Sequence, residues 1–288
     1  MTLSAELANR AVVLDGGLAS ELERRGHDLS SALWSARLLR DDPAAIVDVH
    51  RAFVAAGAEV VTSGSYQASF DALGEEAEPL LRRSVALARE AGPRWVAASV
   101  GPYGAVLADG SEYRGDYGMS VAQLRAWHRR RLGVLADAGA DVLAVETIPC
   151  LAEVDALCAE LDALGAPAWL SINCADTATR AGEPAADAFA MARDCAAVIA
   201  AGVNCTAPAD VTELVRIAAD VSGKPAVAYP NSGEGWDAEL RDWAGVPGFA
   251  ASDVTAWVAA GARLVGGCCR VRPEDVAEIA ALVRPAAG

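Results

Sequence analysis

Arg263-Leu264-Val265-Gly266-Gly267-Cys268-Cys269-Arg270 decides how this chain is read: a short apolar run breaks on two glycines and then presents two adjacent thiols. An apolar run of that length is a buried parallel strand. Downstream, Pro273 with Glu274 and Asp275 marks the first turn of a helix, where a missing N–H costs nothing and acids favour the dipole. Upstream, Gly261 ends another helix, because glycine accepts the left-handed cap.

The same helix, glycine, alanine and strand order recurs at Gly57 and Gly139, and Pro43 opens the helix that runs to Ala56. Eight strand runs follow from this pattern: Ala11 to Gly17, Glu59 to Tyr66, Trp95 to Pro102, Val142 to Ile148, Ala168 to Cys174, Val198 to Cys205, Ala226 to Ser232 and Arg263 to Cys269. Strands alternating with helices give an α/β protein with a parallel sheet, and eight units predict a closed (β/α)8 TIM barrel. No linker or low-complexity segment interrupts the pattern, so the expectation is one domain over 1–288. The connection Tyr103 to Ser120 is unusually long and reads as a lid.

Composition narrows the function. Of 288 residues, 53% are hydrophobic and 22% charged, which suits a large core rather than disorder. A net charge of -15 leaves no basic track for a phosphate backbone, so nucleic acid is not an expected partner. Met1 to Arg10 lacks a basic start and an apolar run, and no later stretch reaches the roughly 18 apolar residues of a membrane span. The expectation is a cytoplasmic protein acting on small molecules, and nothing in the sequence sets its oligomeric state. Seven cysteines, an odd number, then read as reduced thiols.

A parallel barrel works at the C-terminal ends of its strands. Those ends carry Asp15-Gly16-Gly17, Ser65-Tyr66, Glu146-Thr147, Asn204-Cys205, Asn231-Ser232 and Cys268-Cys269. Strands six and eight are separated by one strand, so Cys205, Cys268 and Cys269 can reach a common ion, and soft thiolates select Zn2+. Three protein ligands leave a fourth position open, the arrangement of a catalytic site. Cys150, Cys158, Cys174 and Cys195 read as packing residues, and His27, His50 and His128 as surface or helix residues away from the strand ends. Asp15 and Glu146 are two carboxylates suited to a substrate ammonium, although Asp15 before two glycines is also a plain turn signal. Gly16 and Gly17 offer bare backbone N–H groups to a carboxylate. Tyr66 is read as a polar group near the metal, or else a rim aromatic, and with Asn204 and Asn231 joins the expected substrate-binding set.

At these positions the sequence resembles the homocysteine S-methyltransferase family over nearly the whole chain. The motifs are Leu14-Asp15-Gly16-Gly17, Ser65-Tyr66-Gln67, Ser99 to Gly104, Gly202-Val203-Asn204-Cys205, Tyr229 to Glu234 and Gly266 to Arg270, the last highly specific. The resemblance implies a zinc-dependent methyltransferase with Cys205, Cys268 and Cys269 as ligands. It also implies that homocysteine is the methyl acceptor, and the two strand-end carboxylates Asp15 and Glu146 are then the groups expected to take its ammonium. Ser111 to Tyr117 and the Tyr-Pro-Asn-Ser-Gly-Glu run are similar to the branch whose donor is a sulfonium, S-methylmethionine or S-adenosylmethionine. Trp34, Trp236 or Tyr113 would then offer a cation–π face, and Arg270 would either support the ligands or form a surface ion pair. Alternatives at this stage are transfer to selenocysteine or from betaine, or a non-catalytic zinc and thiol redox sensor.

Overall fold

The apolar runs are buried on both faces: no residue of Trp95–Val100 or Val142–Ile148 is exposed. A strand held between a barrel interior and a helical layer must be apolar on both sides. A computed structural model describes residues 1–29, 34–237, 242–244 and 247–283, without the side chains of 34–36 and 235–246. Its parallel strands are β1 Val12–Val13, β2 Val60–Thr62, β3 Trp95–Val100, β4 Val142–Ile148, β5 Ala168–Ile172, β6 Val198–Asn204, β7 Ala226–Tyr229 and β8 Ala262–Val265. Around the sheet the order is β1-β8-β7-β6-β5-β4-β3-β2, and a bridge from Leu14 to Val60 joins β1 to β2. The (β/α)8 barrel expected from the sequence is the fold observed.

Helices α1 Pro43–Ala56, α2 Ala77–Glu90, α3 Val121–Asp137, α4 Leu151–Leu164, α5 Ala185–Asp194, α6 Pro208–Ser222, α7 Val254–Ala259 and α8 Pro273–Val283 form the outer ring. Asp42 caps α1 by accepting the Ala45 N–H at 3.2 Å, and Gly57 closes it at φ 112°. Inside the barrel, Trp95 and Trp169 fill space left by Ala97, Ala144 and Ala200. Leu3 and Leu7 of the short helix Leu3–Leu7 pack into the same cluster with Val12, Trp95 and Val142, each the first residue of its strand. That plug closes the N-terminal end and leaves the C-terminal end for chemistry.

Strands read from sequence overshoot at this end. β1, β2 and β8 stop at Val13, Thr62 and Val265, so Gly17, Tyr66, Cys268 and Cys269 lie in the loops that follow. The connection expected as a lid is folded: a helix Tyr103–Leu107 and a tight turn Ser111–Tyr113 lead to Ser120, which caps α3. Its base is fixed where the Tyr103 N–H donates to Glu153 Oε1 at 2.7 Å, an oxygen also 2.8 Å from His128 Nε2. His50 and His128 are on helices as expected but fully buried rather than at the surface, since α1 and α3 turn those faces to the barrel. Among the described residues no helix is long and apolar enough to cross a membrane.

Candidate active site: three thiols and two buried carboxylates

Cys205 follows the last residue of β6, and Cys268 and Cys269 follow β8 after the two glycines Gly266 and Gly267. After Val265 the backbone leaves the ladder, with the Gly267 N–H donating to the Asp15 carbonyl at 3.1 Å and the Cys268 N–H to the Pro230 carbonyl at 2.7 Å. A Cβ on Gly267 would lie 2.1 Å from Val271 Cγ1, so glycine is required there by space rather than by an unusual φ. The result is a set of Sγ–Sγ distances of 3.2 Å for Cys205 to Cys268, 3.7 Å for Cys205 to Cys269 and 4.0 Å for Cys268 to Cys269. Thiolates about 2.3 Å from a tetrahedral ion stand roughly 3.8 Å apart, so these three fit a shared metal. Among the described residues they are the metal-competent cluster. Cys150, Cys158, Cys174 and Cys195 are free, buried and outside it.

Cys205 holds φ at 51°, a left-handed conformation that side chains other than glycine rarely adopt. Thiol hydrogens of Cys268 and Cys269, with the Tyr113 hydroxyl 3.6 Å away, favour the Cys205 thiolate and hold it well below the usual thiol range. Its two partners are pushed up in turn. Arg270 Nη2 pairs with Glu234 Oε1 at 2.9 Å, Glu234 accepts the Ser232 hydroxyl, and the Ser232 N–H donates to the Cys269 carbonyl at 3.0 Å. Arg270 thus supports the thiol loop through an ion pair rather than choosing between the two roles expected of it.

Both expected carboxylates are buried beside this cluster. Asp15 accepts the Thr62 N–H at 2.8 Å and its hydroxyl at 3.1 Å. Glu146 accepts the Ser99 hydroxyl and, at 3.1 Å, the Tyr229 hydroxyl, which itself accepts the Trp169 Nε1–H at 3.0 Å. Burial pushes each carboxyl up to about 7, opposed by those hydrogen bonds, and the Glu146 charge adds to the rise at Asp15. Two acids held near neutrality in one desolvated space are poised for a cation.

The other expected residues divide. Tyr66 is half-buried against Gly101, where an added Cβ would meet its ring at 2.7 Å, and its phenol feels the charges of Glu112, Cys205 and Glu146. Gly16 and Gly17 form a close wall: a Cβ would lie 2.5 Å from the Val271 carbonyl oxygen or 2.7 Å from that of Cys268. The Gly17 N–H, expected to meet a substrate carboxylate, instead donates to the Val271 carbonyl at 3.0 Å, because the loop after β8 packs directly on it. Asn204 is committed to Thr147 through both ends of its amide. Asn231 donates to the Cys205 carbonyl at 3.2 Å and leaves Oδ1 buried with no partner. Tyr113 reaches the cluster, while the side chains of Trp34 and Trp236 lie outside the described residues.

Thr62, Ser99, Tyr229 and Glu112 are the site residues that sequence reading did not assign. Ser99 and Tyr229 carried a signal, a polar side chain inside an apolar strand run, and Thr62 a weaker one of the same kind. Glu112 sits in the turn after the Tyr103–Leu107 helix; burial and the neighbouring Cys205 raise its carboxyl to about 7, and its Oε2 is buried with no hydrogen-bond partner.

A closed parallel barrel with a three-thiol centre at its C-terminal rim defines a class, the (β/α)8 enzymes that work through soft metal-binding ligands. Within that class the chain belongs to the homocysteine S-methyltransferase family, whose model matches residues 12–283, and it is a methyltransferase. It is 45% identical to homocysteine S-methyltransferase 4 of Zea mays, over 97% of this chain and 91% of that protein. It is 42% identical to a selenocysteine Se-methyltransferase of Brassica oleracea var. italica, over 93% and 87%. The homocysteine methyltransferase of Escherichia coli, solved in a metallated form, superposes with a TM-score of 0.86 at 40% identity over 96% of this chain and 98% of that one.

Proposed function

We propose that this methyltransferase moves a methyl group from a sulfonium donor, S-methylmethionine or S-adenosylmethionine, to the thiolate of L-homocysteine, giving methionine, with Zn2+ held by Cys205, Cys268 and Cys269. The observation that carries the reading is the pairing of a three-thiol cluster with two buried carboxylates at one strand-end rim. Bound there, zinc supplies the Lewis acidity that makes a thiol ionise near neutral pH. Three thiolates suit a soft ion and leave one position for the acceptor sulfur.

The chain's own residues supply the rest. Asp15 and Glu146 take the homocysteine ammonium, with Thr62, Ser99 and Tyr229 fixing their oxygens. Asn204 orients the backbone beside Glu146, and Asn231 offers its unpartnered Oδ1 to a donor group on the substrate. Tyr66 and Tyr113 stand side by side next to the thiol cluster, where the folded connection meets the rim. In the reaction the donor S–CH3 bond breaks as the new S–CH3 bond forms, so a cation and a thiolate become two neutral thioethers. Charge is lost along that path, and a desolvated pocket favours it. Reduced thiols in the cluster suit a cytoplasmic location.

Methionine formation from homocysteine by the zinc-loaded protein, with S-methylmethionine, S-adenosylmethionine and betaine supplied in parallel, tests this reading. Turnover with a sulfonium is expected; turnover confined to betaine, or to selenocysteine as acceptor, would overturn it.

A further inference from the structure

Glu112 is a partly exposed residue with one carboxylate oxygen, Oε2, sealed from water, and the acceptor side of the site has no use for it. The turn Ser111–Tyr113 holds it rigidly: Asp109 accepts the Ser111 N–H at 2.9 Å and its hydroxyl, and Arg114 Nη2 donates to Ser111 Oγ at 3.0 Å. Gly104 permits this approach, since a Cβ there would stand 2.6 Å from the Glu112 nitrogen. The next residue places its hydroxyl 3.6 Å from Cys205 Sγ, and the Glu112 charge is felt by the Tyr66 phenol. Arg114, whose charge acts on Glu112, is half-exposed and turned to Asp109 and Asp116, and Arg180 sets its guanidinium over the Tyr113 ring, 5.7 Å from the ring centre. A carboxylate oxygen sealed from water without a donor is costly unless a cation arrives.

We infer that Glu112 is the counter-charge of the methyl donor, receiving the sulfonium centre in a subsite between Tyr66, Tyr113 and the thiol cluster. The assignment rests on the sulfonium-donor reading above. A sulfonium has no N–H or O–H, so its partner must supply charge without demanding a hydrogen bond, as a buried carboxylate oxygen does. The attraction is strongest in the bound donor and fades as the methyl group leaves, because the donor sulfur ends as a neutral thioether. Glu112 therefore acts on donor affinity and helps product leave; it is a specificity residue more than a source of rate.

The test compares wild type, Glu112→Gln and Glu112→Asp, zinc-loaded and checked for fold by circular dichroism. Calorimetry gives the Kd of S-methylmethionine without acceptor. Inhibition against S-methylmethionine gives the Ki of 2-amino-5-methylhexanoate, which has a CH group in place of the sulfonium sulfur. Expected for Glu112→Gln is at least a roughly tenfold weaker Kd and a matching rise in donor KM, with kcat and the Ki of the neutral isostere changed less than about twofold. Glu112→Asp keeps the charge and should recover part of the donor affinity. Equal weakening of donor and isostere would mean that Glu112 holds the ammonium, and no weakening of either that it holds nothing; each overturns the assignment alone. A wild-type enzyme that neither binds nor uses S-methylmethionine or S-adenosylmethionine overturns the sulfonium reading and this assignment with it.

Discussion

Asn204 grips Thr147 at both ends of its amide, Oδ1 accepting the Thr147 N–H at 2.7 Å and Nδ2 donating to Thr147 Oγ1 at 2.8 Å. Thr147 has φ at 62°, an expensive conformation for a β-branched residue, and directly follows Glu146. Replacing Asn204 with Ala removes both bonds from a fully buried pair and should cost about 2–4 kcal/mol of stability. Urea unfolding measures it; a loss near zero would mean that Thr147 keeps its conformation without the amide.

The ionisation of Asp15 and Glu146 gives a pH signature with a definite sign. Between the ordinary carboxylate range and about 7 the folded protein keeps protons that the unfolded chain has released, so these groups lower stability as pH rises across that window. Ammonium binding runs the other way, since only the ionised carboxylates attract it. Homocysteine KM should therefore fall as pH rises through about 7. Glu146→Gln should raise KM by roughly 10- to 100-fold and flatten that trend. An unchanged KM would remove Glu146 from the acceptor site.

Cys268→Ser should lose zinc and activity together, because its sulfur stands 3.2 Å from Cys205 Sγ and completes the ligand set. Metal analysis beside a turnover assay decides this. Full activity in the variant would sink the metal-thiolate mechanism.

Arg270 holds the thiol loop through Glu234 and Ser232, which reaches the Cys269 carbonyl. Arg270→Ala should weaken zinc retention against a competing chelator by roughly tenfold, the usual cost of removing a residue that orients ligands. Unchanged retention with a lower Tm would reduce the ion pair to a role in folding.

The barrel and the thiol trio were legible in sequence for a physical reason: both rest on local signals, helix punctuation such as Gly57 and the break of an apolar strand onto Gly266-Gly267-Cys268-Cys269. Asp15 and Glu146 were legible as carboxylates at strand ends. Their partners were not, because Ser99 meets Glu146 only once β3 and β4 pair, and Thr62 and Tyr229 only once the sheet curls round on itself, 47 residues away for Ser99 and 83 for Tyr229. The engagement of the Gly17 N–H is not legible in sequence because its acceptor, Val271, lies at the far end of the chain. Glu112 lies in a stretch similar to the sulfonium-using branch, but an acidic residue in a turn reads as solvated until the fold seals one of its oxygens from water.

Zinc K-edge X-ray absorption on the loaded protein, with and without homocysteine, tests the central claim most directly. Three sulfur neighbours and one lighter atom, becoming four sulfurs when homocysteine is added, is the predicted result. A shell that already holds four sulfurs, or one that homocysteine leaves unchanged, would contradict an open position reserved for the acceptor thiolate.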